Sequence, residues 1–328
     1  MVDPNLPIIL DGKPVEKITA FLFHAGGNND PHKLIANQDK SFQGSIVLGM
    51  GFTFDDSNPD ATPIAQMHRL IEQNPRNQER IFPYIGGEEV NSSPTHTYHR
   101  YVINFGEMSE EEAREWKDLI SIVEEKVKGT RGKHSTASWW QFERLRIELF
   151  GAIESLDRVL VRPRTSKHNV FTFLSGGYVF SENLVVFALP EIALPIIQSR
   201  VHEIWTGFTS STLEDRQGYR PSDCFETFPF PENWETNPEL ESIGAEYYEF
   251  RAALMIRNNQ GLTDTYNRFH DPEEDDPDIL RLRELHTQMD TAILAAYGWT
   301  DIPTTCEFRL DYEEDDTSTT LRDRKSVV

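Results

Sequence analysis

The sequence is poor in cysteine, in basic residues and in long apolar runs. Cys224 and Cys306 are the only cysteines among 328 residues, and they form no Cys-x-x-Cys pair. This usage indicates neither a disulfide framework nor a cysteine-based zinc site. No apolar run approaches the roughly 18–20 residues that a membrane span needs, and no signal-peptide pattern opens the chain. These absences predict a cytoplasmic protein that has no membrane partner.

Motifs that carry catalysis are also missing. The single Gly-x-Gly pair in Leu48–Phe52 is too weak for a cofactor loop, and we interpret it as a bend in a strand. Asp118, Glu124 and Lys126 carry the letters of a metal-dependent nuclease motif, but they fall on a predicted amphipathic helix with a solvated charged face. His202 starts a His-Glu pair without the second histidine of a zinc motif. The sequence therefore predicts no catalytic residue, metal site or cofactor site in this chain.

The charge of the chain is strongly acidic, but it is unevenly distributed. The formal net charge is −22, from 32 basic and 54 acidic residues. Residues 1–130 carry −8 (12 basic, 20 acidic), residues 131–220 carry +2 (11 basic, 9 acidic) and residues 221–328 carry −16 (9 basic, 25 acidic). Because phosphate contacts are made by Lys and Arg, the middle part suits DNA best. An acidic body can still steer DNA to a locally basic face.

Hydrophobic periodicity predicts an α+β fold, with a mixed α/β region followed by a smaller, mostly helical one. Ser109 and Glu112 form a capping box that predicts a helix to about Val127. A second helix is predicted over Trp139–Ser155, before several β-like runs. Helical spacing dominates from Tyr247 onward, which favours a boundary near residues 232–240.

Candidate DNA contacts lie in three segments between residues 139 and 220. On the predicted helix, one face carries Trp140 and Arg144, with Glu148 one turn further. A proline-stiffened segment between β-like runs supplies cations for phosphates: Arg162, Arg164, Lys167 and His168. The loop 209–220 has the mixture of donors and acceptors that direct base readout uses: Ser210, Ser211, Glu214, Arg216, Gln217 and Arg220.

An ordinary polar surface loop is the alternative interpretation of residues 209–220. Aromatic residues flank the loop, and we interpret Tyr219, Phe225 and Phe228 as packing anchors rather than base-stacking groups. Trp205 is the corresponding anchor on the other side. These anchors would hold the ends of the loop while its middle stays free to vary.

Several stretches resemble the recognition part of MmeI-like restriction-modification proteins, which combine nuclease, adenine methyltransferase and specificity parts in one polypeptide. The similar stretches follow one another in family order: Phe42–Phe52 (FQGSIVLGMGF), Ile81–Trp116, Ser199–Pro231, Gly261–Pro272 (GLTDTYNRFHDP) and Leu282–Ile302. Together they cover most of residues 40–302. The resemblance implies a lead-in segment (1–40), a DNA target-recognition domain (41–235), a helical C-terminal domain (236–310) and an acidic tail (311–328), which we expect to be disordered.

The resemblance implies a sequence-specific recognition module of an adenine-N6 DNA methyltransferase, with double-stranded DNA as its partner. The Asn-Pro-Pro-Tyr tetrapeptide of the family's methyltransferase is absent from this sequence. We therefore expect the methyltransferase, its S-adenosylmethionine and the nuclease in another or an upstream polypeptide. The ending STTLRDRKSVV departs from the family's basic helical tail and resembles a truncation. An inert gene remnant and a protein-interaction module without DNA binding are the alternatives.

Overall fold

The computed structural model describes residues 8–10, 13–19, 29–132, 135–213, 216–305, 307–310 and 324–327. Within them the chain has the predicted α+β fold. The strands are β1 (Ile8–Leu10), β2 (Lys13–Val15), β3 (Ser41–Gln43), β4 (Thr53–Phe54), β5 (Ile81–Ile85), β6 (Arg100–Ile103), β7 (Arg158–Pro163), β8 (Thr165–Ser166), β9 (Thr172–Ser175), β10 (Val179–Phe180), β11 (Leu184–Phe187), β12 (Ser211–Leu213), β13 (Arg216–Gly218), β14 (Glu307–Leu310) and β15 (Arg324–Val327).

The helices are α1 (Ile64–Gln73), α2 (Gly87–Ser92), α3 (Glu110–Ala113), α4 (Lys117–Val127), α5 (Ile147–Ile153), α6 (Leu194–Gln198), α7 (Arg200–Thr209), α8 (Pro238–Asn258), α9 (Leu262–Phe269) and α10 (Pro277–Ala296). In the part of the chain that the structure describes, none of them is long and apolar enough to cross a membrane.

Two four-stranded sheets form the body of the fold. The first sheet has the order β10-β5-β6-β4, with β10 parallel to β5 and the other pairs antiparallel. The central sheet has the order β3-β11-β7-β9 and is antiparallel throughout. Because β10 lies between β9 and β11 in sequence, the chain leaves the central sheet, adds one strand to the first sheet and returns.

The region of α3 and α4 packs on the first sheet. The predicted capping box is confirmed: Ser109 Oγ accepts from the Glu112 amide, and Glu112 Oε2 accepts from the Ser109 amide at 2.8 Å. The predicted helix is interrupted, however, because α3 ends at Ala113 and α4 begins only at Lys117. Between them Trp116 is buried, and its indole Nε1 donates to the Arg76 carbonyl at 3.0 Å.

The central sheet is covered on both faces. Along β7, Val159 and Val161 belong to a core cluster shared with the C-terminal helices, whereas Leu160 belongs to a cluster around α6. This alternation follows from the two-residue period of a strand. Arg158, the first residue of β7, is exposed, whereas the rest of the strand is buried on both faces, so a charged residue in that part must enter the protein interior.

The C-terminal helices share a core with the sheet before them. Asn237 caps α8, since its side chain accepts from the amides of Glu239 (3.0 Å) and Leu240 (3.4 Å). Tyr247 of α8 lies in the same buried cluster as Val186 of β11. The secondary structure therefore changes from mixed to helical near the predicted boundary at residue 235, but one apolar core continues across it.

The prediction of one helix over Trp139–Ser155 is wrong, because only Ile147–Ile153 are helical. The Arg144 amide donates to the Ile46 carbonyl and the Ile46 amide to the Arg144 carbonyl, both at 3.1 Å, which makes this segment extended. Arg146 then takes a left-handed backbone conformation (φ 62°) that directly precedes α5. A local helical period was overridden by pairing with a residue about 100 positions away.

The predicted acidic tail falls mostly outside the described residues. Its described part, Arg324–Val327, pairs antiparallel with Glu307–Leu310 instead of showing the disorder that the composition suggested.

Candidate nucleic-acid interface

Three arginines from two segments lie near the edge strand β3 of the central sheet, and we call Arg144, Arg146 and Arg164 the arginine cluster. Arg144 is exposed, and Arg146 and Arg164 are partly buried. Partial burial and the nearby charges of Arg144 and Arg164 lower the pKa of Arg146. Hydrogen bonds also bring two of them together, because Gln43, which accepts from Arg146 Nη2, and Arg164 Nη1 both donate to the Glu182 carbonyl, at 3.1 and 3.5 Å. The cluster is therefore a local concentration of positive charge on an acidic protein.

The edge strand β3 holds the cluster in place. Arg146 donates from Nε to the Gly44 carbonyl and from Nη2 to Gln43 Oε1, both at 3.2 Å. Gln43 Nε2 donates in turn to the Glu182 carbonyl at 3.1 Å. Gly44 is required here because a Cβ atom would lie 2.1 Å from the Ser181 carbonyl oxygen. The backbone around Gly44 thus leaves a carbonyl open to the Arg146 guanidinium.

A small three-stranded sheet, β12-β13-β8, adjoins the cluster, and we call it the hairpin sheet. Its register pairs Ser211 with Gly218 across the hairpin and Gly218 with Thr165 on β8. The Tyr219 amide donates to the Arg164 carbonyl at 2.8 Å. The third strand of the hairpin sheet therefore begins one residue after a member of the arginine cluster.

Buried aromatic rings hold the base of the hairpin sheet, as the sequence predicts. Tyr219, Phe225 and Phe228 are each at most 1% exposed. The Tyr219 hydroxyl lies 3.3 Å from His202 Nε2, and burial lowers the pKa of His202 to about 3, so the imidazole is neutral at pH 7. On the other side, Trp205 Nε1 donates to Thr227 Oγ1 at 3.2 Å.

Comparison with known proteins assigns the chain to a family. Residues 30–232 match the family model described as MmeI, target recognition domain, which is more than half of the chain. The chain belongs to the MmeI target-recognition-domain family. The resemblance inferred from the sequence is thereby confirmed. No curated protein matches the chain.

A solved structure shares the fold. It is described as the Type IIL restriction-modification enzyme MmeI in complex with DNA, and it matches with a TM-score of 0.58 at 18% sequence identity. The match covers 88% of the present chain and 36% of that chain. The present chain thus spans about a third of the length of this MmeI enzyme, and it extends past the family model into the C-terminal helices.

The assignment of Arg162 to phosphate contact is wrong in this member of the MmeI family. Arg162 is 0% exposed, and its guanidinium lies under the rings of Tyr219 and Phe171. Arg164, two residues on, is past the end of β7 and reaches the arginine cluster. Strand geometry thus separates two arginines that look equivalent in sequence.

Lys167 and His168 contact the C-terminal helices. Lys167 is exposed, and its Nζ donates to Asn267 Oδ1 at 3.3 Å. His168 is 8% exposed, lies 3.0 Å from the same oxygen and stacks on His270 with ring centroids 5.0 Å apart. His168 is therefore a packing residue, whereas Lys167 remains accessible beside the hairpin sheet.

The remaining candidates are spread over several environments. Trp140 and Arg144 do not share a helix face. Trp140 packs against the core of the first sheet, where its Nε1 donates to the Met108 carbonyl at 2.9 Å. Ser210 ends α7 and is partly buried. Ser211, Arg216 and Gln217 lie on the hairpin strands, Glu214 lies outside the described residues, and Arg220 is 64% exposed, 4.0 Å from Asp223.

Sequence reasoning missed Arg146, which belongs to the arginine cluster. The signal was available in the sequence as Arg144-Leu145-Arg146, two cations at alternate positions. The segment was predicted to be helical, and residues two apart on a helix do not share a face. The secondary-structure error therefore also concealed the site residue.

The residues of the apparent cofactor and nuclease motifs have structural roles. Gly51 of the Gly-x-Gly pair packs on α4, where a Cβ would lie 2.7 Å from Lys126 Cβ. Asp118 accepts a hydrogen bond from Asn77 at 3.1 Å, and Glu124 pairs with Arg114 and Lys128. Among the described residues, no group of His, Cys, Asp or Glu side chains could hold a metal ion.

Proposed function

We propose that this chain binds double-stranded DNA sequence-specifically, with the arginine cluster on the phosphates and the hairpin sheet in a groove. The observation that carries the proposal is the junction of the arginine cluster with the β12-β13 hairpin in a member of a target-recognition family. Arginine suits phosphate contact because its donors are planar and paired. A two-stranded β-ribbon is narrow enough for the major groove.

The arginine cluster and the hairpin have different roles, which follow from their chemistry. Phosphate contacts orient a protein on the duplex without reading sequence, whereas base edges carry the sequence information. The sequence 209–220 contains Glu214, Arg216 and Gln217, of which Arg216 and Gln217 lie on β13. Carboxylates accept from the cytosine amine, guanidinium groups donate to guanine, and amides pair with adenine. We therefore assign orientation to the arginine cluster and base selection to the hairpin.

The reaction itself would belong to a different part of the system. We propose that an adenine methyltransferase carrying S-adenosylmethionine, with or without a nuclease, joins this module in a cytoplasmic restriction-modification system. Two observations support this proposal. The chain shares its fold with a Type IIL restriction-modification enzyme, and the Asn-Pro-Pro-Tyr tetrapeptide is absent from this sequence. The Arg144–Arg146–Arg164 surface would then orient the duplex toward that methyltransferase.

Protein binding without DNA is the second candidate. An apolar cavity of about 350 Å³ lies between α7 and α10, bordered by exposed Ile204, Trp299 and Ile302. Exposed apolar patches of this kind occur at protein interfaces. Such a surface is also compatible with DNA recognition by the same chain.

Selection from a randomised duplex pool tests the proposed function. The purified chain is mixed with the pool at two salt concentrations, and the retained duplexes are sequenced. Enrichment of one motif, with affinity that falls as salt rises, is the expected result. Retention of no duplex at low salt would reject DNA binding and favour the protein-binding candidate.

A further inference from the structure

Arg162 is a fully buried arginine in the core of the recognition region. It lies on β7, is 0% exposed, and points into the apolar cluster around α6 rather than toward solvent. Burial lowers the pKa of Arg162 to about 10, so the guanidinium still carries its proton at pH 7. A full positive charge therefore lies among aromatic and aliphatic side chains.

The hydrogen bonds of Arg162 go to neutral oxygens. Nε donates to the Pro163 carbonyl at 3.2 Å, and Nη1 donates to Asn169 Oδ1. Within the described residues Nη2 has no hydrogen-bond partner and no carboxylate lies within ion-pair distance of Arg162, on which the Glu203 charge acts only from further away. Uncompensated buried charge is costly, and apolar replacement of buried ionic groups is often neutral or stabilising. Fold stability alone therefore does not explain a cation at this position.

The compensating contacts are aromatic. The Arg162 guanidinium carbon lies 4.3 Å from the ring centroid of Tyr219 and 5.4 Å from that of Phe171. A desolvated cation is attracted to the face of an aromatic ring more strongly than one in water. The guanidinium thus holds the Tyr219 ring, and Tyr219 directly follows β13 of the hairpin sheet.

Arg162 is itself held by a buried polar chain. The Asn169 carbonyl accepts from Gln198 Nε2 at 3.1 Å, and Gln198 Oε1 accepts from Arg251 Nη1 at 3.3 Å. Arg251 of α8 donates further to the Phe171 carbonyl at 2.6 Å. A second buried arginine therefore connects the same network to the C-terminal helices. The position of the Arg162 guanidinium is thus linked, through Asn169 and Gln198, to Arg251.

We propose that Arg162 is a positioning residue for the hairpin sheet, which acts through Tyr219 to set the orientation in which β12 and β13 meet the bases. The inference rests on the proposed DNA-reading function and deepens it. Arg162 touches no base and no phosphate. Its removal changes which sequence is preferred, whereas removal of an exposed arginine changes how tightly every duplex is held.

The test compares Arg162→Met with Arg144→Met and Val123→Ala in the full chain. Arg144→Met removes an exposed cation of the cluster, and Val123→Ala removes a buried methyl pair in α4, remote from the hairpin sheet. Each variant is assayed for the motif selected from a randomised pool and for Kd ratios between the selected duplex and its single-base variants. Amide hydrogen exchange of residues 211–218 is measured without DNA.

Arg162→Met is expected to lower discrimination at the bases read by the hairpin by about 5-fold or more, while Kd for an unrelated duplex changes less than about 2-fold. Exchange at residues 211–218 should accelerate about 10-fold or more relative to the first sheet. Arg144→Met should weaken all duplexes equally and leave the motif unchanged. Val123→Ala should lower thermal stability and also leave the motif unchanged.

An unchanged motif together with unchanged exchange in folded Arg162→Met would overturn the inference. If that variant gives no cooperative melting transition, Tyr219→Leu decides, because it removes the ring and leaves the Arg162 hydrogen bonds in place. If neither variant folds, the contact between Arg162 and Tyr219 stabilises the whole core rather than orienting the hairpin sheet, and the inference is overturned. A wild-type chain that binds no duplex counts against the proposed function alone, since the exchange measurement needs no DNA.

Discussion

Arg200 and Asp290 form a buried ion pair that joins α7 to α10, with Nη1 and Oδ2 3.6 Å apart. The Arg200 amide also donates to Asp290 Oδ1 at 2.9 Å. Burial raises the pKa of Asp290 to about 6, and the Arg200 charge limits that rise. Because α7 leads directly into β12, this pair connects α10 of the helical region to the hairpin sheet.

Asp290→Ala should destabilise the fold by about 3 kcal/mol, because it leaves the Arg200 guanidinium buried without its partner. Denaturant unfolding followed by tryptophan fluorescence measures the effect. Glu284→Ala is the matched control on the same helix, since Glu284 is 59% exposed where it pairs with Arg281. The control should lose less than about 1 kcal/mol. Equal losses in the two variants would show that the buried pair has no special role.

Stability should fall as the pH is lowered from 7 to 5. Burial lowers the pKa of His96 to about 4, of His202 to about 3, of His270 to about 2 and of His286 to about 4. The unfolded chain therefore binds more protons below pH 6.5, and each such histidine costs roughly 2 kcal/mol at pH 5. The raised pKa of Asp290 acts in the opposite direction, but it is one group against four.

Thermal melts at pH 7.5, 6 and 5 check this prediction. His96→Asn should reduce the pH dependence, because an amide replaces the titrating ring between Val90 and Thr172. His68→Gln at an exposed position should leave the dependence unchanged. A melting temperature that is constant over this range would mean that these histidines titrate alike in the folded and the unfolded chain.

Replacing Arg144, Arg146 or Arg164 with Ala should weaken binding to all duplexes by a similar factor. Each lost phosphate contact should reduce the magnitude of the slope of log K against log salt by about one unit. Affinity titrations over a salt series measure the slope. Arg257→Ala on α8 is the control, since this exposed arginine pairs with Asp278 away from the cluster. Unchanged slopes in all three cluster variants would locate the DNA face elsewhere.

Exchanges at Glu214 or Arg216 should alter the preferred base at one position of the selected motif. A good bidentate base contact is worth about 1–3 kcal/mol of discrimination, which sequencing of a selected pool resolves. Arg216→Lys keeps the charge but loses the planar fork, so specificity should relax more than affinity falls. Identical motifs from all hairpin variants would make residues 209–220 an ordinary surface loop.

The isolated chain should neither methylate nor cleave DNA, because the sequence lacks the methyltransferase tetrapeptide and a cofactor loop. Incorporation of labelled methyl groups from S-adenosylmethionine into duplex is the measurement. Addition of a catalytic polypeptide from a restriction-modification system of this family should supply that activity. Methyl incorporation by the pure chain above a buffer control would contradict the prediction.

Local signals in the sequence predicted the elements that depend on neighbouring residues. The Ser109–Glu112 capping box produced the expected helix start, because its hydrogen bonds join residues three positions apart. Family motifs likewise predicted the recognition fold, and the aromatic anchors Tyr219 and Phe225 are buried as expected. These features require no knowledge of distant contacts.

Long-range pairing decided the arginine cluster. The sequence alone determined that residues 139–164 are rich in arginine and that the chain resembles a recognition domain. Only the tertiary structure decided that Arg144 pairs with Ile46 in an extended segment, which brings Arg146 beside Arg164. It also decided that Arg162 is buried while Arg164 is not. The physical reason is that β7 is covered on both faces from Val159 to Pro163, so Arg162 enters the core, whereas Arg164 lies past the end of the strand and can reach solvent.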